Sequence, residues 1–70
     1  GKDQAAKLHY MPYSFRMLSP GDYVLCAVTG ARILLDDLRY WSIVRQEAYI
    51  DADASTVAEV KWRKEQGLPA

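Results

Sequence analysis

The first third of the chain alternates apolar and polar residues in the manner of β-strands. Residues 8–11 are predicted to form a short extended segment that ends at Pro12. Met11 fits this segment, because a residue before proline favours extended geometry. Tyr13, Phe15 and Met17 are then separated by polar residues. This period of two predicts a half-buried strand.

Two turn signals divide residues 19–35 into further strands. The sequence Ser-Pro-Gly-Asp at residues 19–22 places proline and glycine at the central positions of a turn, where Gly21 can take a positive φ. Because an ordinary type II turn twists against the flanking strands, we expect a bulge or a wider loop here and not an ideal hairpin. The apolar run over residues 23–28 predicts a central strand, residues 29–32 a second turn, and residues 33–35 a third short strand. Residues 13–35 are therefore predicted to form a three-stranded antiparallel meander.

Residues 36–50 fit two different periods. Asp36 is a suitable cap for one helical turn over residues 36–38. A continued helix would align Leu35, Leu38, Trp41 and Val44 on one face. A strand would instead place on one side Trp41, Ile43, Arg45, Glu47 and Tyr49. The aromatic and β-branched content favours an edge strand over residues 39–50, with a helix as the alternative.

The last predicted element is a helix. Asp51 is a good N-cap, Gly67 can end the helix in a left-handed conformation, and Pro69 forbids its continuation. The apolar stripe of this helix is narrow and consists of Ala54, Val57, Ala58 and Trp62. We therefore expect that either Trp62 anchors the helix to the sheet or another chain shares its face.

Together these elements predict an α+β fold. A small antiparallel β-meander, which includes a zinc-knuckle-like hairpin without metal, is combined with one C-terminal helix. Residues 1–70 are assigned to a single small domain, with residues 1–6 frayed and residues 67–70 as a C-terminal tail. A chain of this length buries only about 60% of its unfolded surface, so its stability is slim unless a partner or a second copy adds to the core.

Composition and charge narrow the classes of function. Half of the residues are hydrophobic and 26% are charged, as in globular domains. Nine basic and nine acidic residues cancel, which argues against a strongly cationic surface for nucleic acid or anionic membranes. No apolar run is long enough to span a bilayer, and no signal peptide is recognised. The lone Cys26 fits a reducing compartment, so we expect a cytoplasmic protein without a membrane partner.

The sequence contains few residues that could form a metal site or an enzyme active site. A structural zinc site needs four ligands, whereas the chain offers Cys26 and His9, and Thr29 stands where a knuckle would have its second cysteine. The chain contains no Gly-x-Ser-x-Gly nucleophile motif. The adjacent Asp36 and Asp37 point apart and make a poor acid–base pair. We expect no catalytic residues, no metal and no cofactor.

Residues 38–49 combine two arginines with three aromatic residues, a composition typical of interface cores. The candidate interface residues are Arg39, Tyr40, Trp41, Arg45, Gln46, Glu47 and Tyr49. They indicate a non-enzymatic protein-interaction module that binds a protein partner or self-associates as a homodimer. The alternative is a single-stranded nucleic-acid-binding module, in which bases stack on the same aromatic and arginine side chains; the neutral net charge disfavours it.

Several spaced motifs resemble one small bacterial family. They are Ser-Pro-Gly-Asp-Tyr-Val at 19–24, Cys-Ala-Val-Thr-Gly at 26–30, Ile33, Leu-Arg-Tyr-Trp-Ser-Ile at 38–43 and Arg-Gln-Glu-Ala-Tyr at 45–49. The chain resembles domain of unknown function 2093, a family of small proteobacterial proteins, over residues 7–55. It departs from that pattern at Leu34, where a proline is expected, and at Asp51, where a serine is common. The resemblance implies a bacterial cytoplasmic protein and no particular activity.

Overall fold

The computed structural model describes residues 4–69 of the chain. This range forms β1 (Lys7–Met11), β2 (Ser14–Ser19), β3 (Tyr23–Leu25), β4 (Arg32–Leu34), a 3₁₀ turn (Leu35–Asp37), β5 (Tyr40–Ser42), β6 (Glu47–Tyr49) and α1 (Ala52–Glu65). The strands pair as three antiparallel hairpins, β1–β2, β3–β4 and β5–β6. The α+β class with its C-terminal helix is confirmed. Residues 1–3 of the predicted frayed start, and Ala70 of the predicted tail, lie outside the described residues.

Strand β2 pairs with the strand before it and not with the strand after it. The two-residue loop of Pro12 and Tyr13 joins β1 to β2 and brings Met11 opposite Ser14. A loop this short closes a hairpin locally, so β2 finds a partner before the chain reaches β3. The predicted three-stranded pairing over residues 13–35 is thus corrected to two separate hairpins.

A close approach at Gly21 explains why β2 and β3 do not pair. The positive φ predicted for Gly21 is wrong, since the described glycines with positive φ are Gly30 and Gly67. A Cβ at Gly21 would instead overlap the backbone of residues 4–6. The N–H of Ala6 donates to the carbonyl of Tyr23 at 2.7 Å. Residues 4–6 therefore occupy the edge of β3 that a meander would give to β2.

Residues 39–50 form a hairpin, so the predicted edge strand has the right type and the wrong extent. The two strands pair Tyr40 with Tyr49 and Trp41 with Ala48. The reversal between them uses a positive φ of 53° at Gln46, a conformation that non-glycine residues seldom adopt. Trp41 and Tyr49 consequently lie on opposite faces, whereas a single strand placed them on one side.

Helix α1 begins and ends at the residues that the sequence predicted. The Asp51 carboxylate accepts a hydrogen bond of 2.8 Å from the backbone N–H three residues further on. At the other end, Gly67 has a φ of 74°. The N–H of Gly67 donates to the Lys64 carbonyl at 3.1 Å, and that of Leu68 to the Arg63 carbonyl at 2.7 Å. This pair of bonds is the Schellman motif, which satisfies the last carbonyls of a helix.

The hydrophobic core lies where the three hairpins and α1 meet. Its buried members are Ala6, Tyr10, Val24, Cys26, Ile33, Leu38, Ala48, Tyr49, Ala54 and Ala58. Of the predicted helix stripe, the two alanines are buried, Trp62 is half-buried and Val57 is exposed. The described residues extend over 42 × 20 × 17 Å, with a Cα radius of gyration of 12.5 Å. A compact domain of this length would have about 11 Å, so the molecule is elongated.

Candidate functional site

The structure separates the predicted interface residues by what they contact. Arg39, Tyr40 and Trp41 line a groove beside the β1–β2 loop. Arg45, Glu47 and Tyr49 form a polar cluster with α1. Gln46 bonds to the backbone of β1. The seven residues therefore do not form one surface.

The first group lines what we name the aromatic groove, a concavity of about 560 Å³ between the β1–β2 loop and β5. Its walls include Pro12, Tyr13, Arg39, Tyr40, Trp41 and Ile43. Among the described residues that line it there is no carboxylate, imidazole or thiol. The aromatic groove can therefore bind a ligand through its ring surfaces and one guanidinium.

Tyr13 stands at the rim of the aromatic groove in an unusual conformation. Its side chain is fully exposed, and its φ is 68°. Pro12 before it supplies the first central position of a type II turn, whose second central position normally requires glycine or asparagine. A bulky residue with positive φ costs about 1–2 kcal/mol. Neither burial nor backbone geometry explains why a tyrosine occupies this position. Backbone strain of this kind concentrates at functional sites.

Trp41 forms a fixed wall of the aromatic groove. Its ring stacks on Tyr10 at a centroid distance of 6.1 Å and meets the edge of Phe15 at 5.8 Å. Its indole N–H donates to the carbonyl of Met11 at 3.0 Å. These contacts position the ring rigidly against the β1–β2 hairpin, so a bound group would meet a preformed surface.

Arg39 adds a positive charge beside these rings. Its Nη1 donates to the carbonyl of Asp36 at 3.2 Å and to that of Leu38 at 3.4 Å. No ion pair involves Arg39 within residues 4–69. The backbone carbonyls orient the guanidinium without neutralising it, so its charge is available to a ligand.

The second group is a charge network that attaches β6 to α1. Arg45, whose side chain is 15% exposed, donates to Glu59 Oε1 at 3.1 Å and to the Tyr49 hydroxyl at 3.0 Å. The Tyr49 hydroxyl donates to Glu47 at 2.7 Å. The Arg45 guanidinium also lies 5.6 Å from the centre of the Trp62 ring, within the range of a cation–π contact. Arg45 is therefore a structural residue here.

The pKa directions agree with that role. Burial alone would lower the pKa of Arg45, but its hydrogen bonds to Tyr49 and Glu59 outweigh burial and raise it. Hydrogen bonds from Arg45 and Arg63 lower the pKa of Glu59. Burial and the hydrogen bond to Glu47 raise the pKa of Tyr49. Each shift stabilises the charge state that the network needs at neutral pH.

The Gln46 side chain makes the backbone hydrogen bonds to β1 that a neighbouring strand would otherwise make. Its Oε1 accepts from the N–H of Tyr10 at 2.9 Å, and its Nε2 donates to the carbonyl of Tyr10 at 3.0 Å. The same Nε2 donates to the carbonyl of Ile43 at 2.8 Å. One side chain thus joins the β5–β6 hairpin to the β1–β2 hairpin, which makes Gln46 an architectural residue.

The knuckle-like turn after β3 is held by its own hydrogen bonds. The thiol of the buried Cys26 accepts from the N–H of Thr29 at 3.4 Å. Burial would raise the pKa of this thiol, but hydrogen bonds from Thr29, Ile50 and Val28 outweigh burial and lower it. Within residues 4–69 no group of three His, Cys, Asp or Glu side chains could hold a metal ion. The described residues therefore give no indication of a metal site at this turn.

Pro12 and Tyr13 are site residues that the sequence analysis missed. The pattern placed Tyr13 inside a strand, because it continues the alternation with Phe15 and Met17. The available signal was the sequence Pro-Tyr between two short strands, where proline presets the first position of a turn. A tyrosine at the second position is so unfavourable that sequence reasoning does not suggest it.

Residues 17–58, more than half of the chain, match the family described as uncharacterised protein conserved in bacteria (DUF2093). No curated protein and no solved structure matches the chain. In the part of the chain that the structure describes, no helix is long and apolar enough to cross a membrane. Because its family match runs from β2 through the first half of α1, the chain belongs to this family of uncharacterised bacterial proteins, DUF2093.

Proposed function

We propose that the chain is a non-enzymatic, cytoplasmic protein-interaction module whose aromatic groove binds an extended segment of a partner protein. The observation that carries this proposal is Tyr13. Its ring is fully exposed on a backbone that costs free energy, and it lies at the rim of a groove with a preformed aromatic wall. An exposed aromatic side chain kept at such a cost has a use at a binding surface.

The chemistry of the aromatic groove favours a proline-containing segment with an acidic neighbour. Proline-rich segments are already extended, and they dock between exposed aromatic rings with little loss of entropy. Tyr13 and Tyr40, the latter 41% exposed, offer such rings. The unneutralised guanidinium of Arg39 would pair with a carboxylate on the same segment.

The lining of the aromatic groove also supports a binding role over catalysis. Hydrolytic and group-transfer chemistry needs a nucleophile or an acid–base pair within hydrogen-bond reach of the substrate. The described lining residues provide tyrosine hydroxyls, Ser55 and one arginine. A second concavity of about 340 Å³ borders α1, but its Arg45 and Glu47 are already engaged in the charge network.

A comparative pull-down from a native bacterial lysate tests the proposal. The tagged wild-type chain, the Tyr40→Ser variant and the Val44→Ser control are compared with and without nuclease, and captured proteins are identified by mass spectrometry. Val44 is 76% exposed and lies outside the aromatic groove, so it matches the loss of an exposed apolar side chain. We expect a partner that survives nuclease, persists with Val44→Ser and is lost with Tyr40→Ser.

Direct binding follows with a peptide from the captured partner. In a Trp62→Phe variant Trp41 is the remaining tryptophan, so its fluorescence reports the aromatic groove. A saturable change on titration supports the proposal. Capture that Tyr40→Ser leaves intact would contradict it. Captured partners that vanish with nuclease, together with saturable binding of single-stranded oligothymidylate, would favour the nucleic-acid alternative.

A further inference from the structure

Among the residues that the structure describes, no strand pairs with the outer edge of β2. β2 pairs only with β1, and no other strand within residues 4–69 continues the sheet. The regular part of the strand, residues 14–17, contains neither lysine nor proline. Natural proteins usually blunt such edges with charged side chains, proline, bulges or very short strands. Arg16 is the one charged residue in this part of β2. Here an extra residue, Leu18, interrupts the pairing near the end of the strand and leaves the preceding part regular.

The hydrogen bonds of Gln46 establish which backbone groups point outward from β2. The N–H and carbonyl of Tyr10 both bond to the Gln46 side chain, so they point away from β2. Tyr10 and Phe15 therefore form a non-hydrogen-bonded pair, in which each residue directs its backbone groups outward. By alternation the same holds for Leu8 and Met17. No hydrogen bond to the outward groups of Phe15 or Met17 is present among the described residues.

One face of this hairpin carries a set of basic side chains. His9 lies directly opposite Arg16, and Lys7 shares their face because it is two residues from His9. All three are exposed, and no ion pair involves them within residues 4–69. Residues 4–21 contain no aspartate or glutamate, although the whole chain has no net charge. The β1–β2 hairpin therefore carries an excess of positive charge.

We propose that the outer edge of β2 binds an extended acidic segment of another protein as an added strand. The outward N–H and carbonyl groups of Phe15 and Met17 would pair with the backbone of that segment. Its carboxylates, at every second position, would lie beside Arg16, on the face that also carries His9 one strand further away. Its alternate apolar side chains would lie beside Met17, which is 46% exposed. This edge is separate from the aromatic groove, so the proposal stands or falls independently of the proposed function.

In the register that uses the outward groups of both Phe15 and Met17, charge favours an acidic partner over a second copy of the chain. In the register that pairs Phe15 of one copy with Met17 of the other, two Arg16 side chains would lie directly opposite each other. Like charges in that position destabilise a strand pair. An acidic segment removes the same repulsion and replaces it with attraction. A nucleic acid would meet the positive charge, but it lacks the backbone donors and acceptors that match a strand edge.

The probe is the peptide acetyl-Glu-Val-Glu-Val-Glu-Val-amide, titrated into the ¹⁵N-labelled chain and followed by NMR. We expect saturable shifts of the Phe15 and Met17 amides, and weaker binding as salt is added. The matched peptide with lysine in place of glutamate should not bind. Binding of both peptides with equal affinity would overturn the role of charge.

Two variants separate the edge from the rest of the molecule. Arg16→Glu should weaken binding about fivefold to tenfold, since one attraction becomes a repulsion. Lys64→Glu makes the same charge change on α1 and should alter affinity less than about twofold. Met17→Pro removes one outward N–H and should abolish binding while β1–β2 pairing persists. Should Met17→Pro fail to fold, Arg16→Glu still decides.

Three further outcomes would overturn the proposal. The first is peptide affinity that neither Arg16→Glu nor Met17→Pro changes. The second is a concentration-dependent dimer, seen by light scattering, whose interface shifts the same β2 amides. The third is tighter binding of single-stranded oligothymidylate than of the acidic peptide at this face. Loss of groove binding through Tyr40→Ser should leave peptide binding at β2 unchanged, which keeps the two proposals distinguishable.

Discussion

Tyr13 shows how a single residue can oppose the local preference of its own backbone. The hairpin would close more easily with glycine at this position, because the second residue of the loop has a positive φ. Tyrosine instead keeps a fully exposed ring at the rim of the aromatic groove. Stability and binding therefore make opposite demands on the same position, as stability–function trade-offs predict.

We predict that Tyr13→Gly stabilises the free protein while it weakens binding in the aromatic groove. Relief of the positive φ should raise the free energy of unfolding by about 1 kcal/mol. Urea denaturation followed by tryptophan fluorescence measures the change. Tyr13→Ala is the matched control, because it removes the ring but keeps the Cβ, and it should not stabilise. Equal stabilisation by alanine and glycine would show that the backbone conformation is not the cause.

The helix and the hairpins differ in how far the sequence predicts them. Both ends of α1 were predicted, because Asp51 and Gly67 act through hydrogen bonds to residues within one turn. Strand pairing was predicted less well, because it depends on which segments meet. The pattern did not show that Gly21 lies against the start of the chain. Nor did it show that Gln46 reverses the chain and splits one predicted strand into two.

The predicted interface residues are separated because the chain reverses at Gln46. Alternation along a single strand placed Trp41, Arg45 and Tyr49 on one side. The β5–β6 turn instead directs Trp41 toward β1 and directs Arg45 and Tyr49 into the charge network at α1. The sequence thus indicated which segment is rich in functional side chains, and the turn geometry decides how they are distributed.

At the N-terminus of α1, Asp51→Ala should lower the stability of the protein by about 1 kcal/mol. Without the Asp51 carboxylate, the backbone N–H of Ala54 loses its acceptor and is left to water. Urea denaturation measures it. Asp53→Ala is the control: Asp53 lies in the first turn, where a charge contributes only about 0.3–1 kcal/mol through the helix dipole. A smaller effect for Asp51→Ala than for Asp53→Ala would contradict the assignment of the cap.

The attachment of α1 to β6 should depend on pH through Glu59. Hydrogen bonds from Arg45 and Arg63 lower its pKa in the folded state. A lowered folded-state pKa contributes stability that is complete above the unfolded value of about 4.3. That stability is lost as the pH falls through the lower, folded-state pKa. We expect this contribution to the urea midpoint to stay constant from neutral pH down to about pH 5, and to decline as the pH falls below the unfolded value of about 4.3.

Two variants test this pH dependence. Glu59→Gln removes the titrating group and should flatten part of the decline at low pH. Glu65→Gln removes an exposed carboxylate on the same helix that has no ion pair within residues 4–69. This control should leave the profile as in the wild type. A decline that is the same in all three proteins would exclude Glu59 as a source of the pH dependence.

At the scale of the whole molecule, the three hairpins are joined by few connections. A continuous sheet would link them through rows of backbone hydrogen bonds. Here isolated contacts take that place: the Gln46 amide on Tyr10, the Trp41 indole on Met11, and the Ala27 N–H on the carbonyl of Ala48 at 2.9 Å. Single side chains therefore have an unusually large share in holding the fold together.

Gln46→Leu should be the most destabilising polar substitution among these connections. It removes three hydrogen bonds and leaves the backbone groups of Tyr10 partly without partners, a loss of about 2–3 kcal/mol. Gln66→Leu is the control: Gln66 is exposed like Gln46, but it lies at the end of α1 and its side chain joins no hairpins. It should change the free energy of unfolding by less than about 0.5 kcal/mol. A comparable loss from both variants would contradict the architectural role of Gln46.

The short connections within the hairpins also bear on how quickly the chain folds. Each strand pairs with its neighbour in sequence across loops of two, six and four residues. Such local pairing lowers the contact order, although the bonds between hairpins join residues 30 and 36 positions apart. Mixed domains of this kind fold at rates between those of helical bundles and all-β proteins, on the order of milliseconds. Refolding monitored by stopped-flow fluorescence and slower than about one second would contradict this. A chain that pairs neighbour with neighbour can begin to fold on the ribosome before its helix has been synthesised.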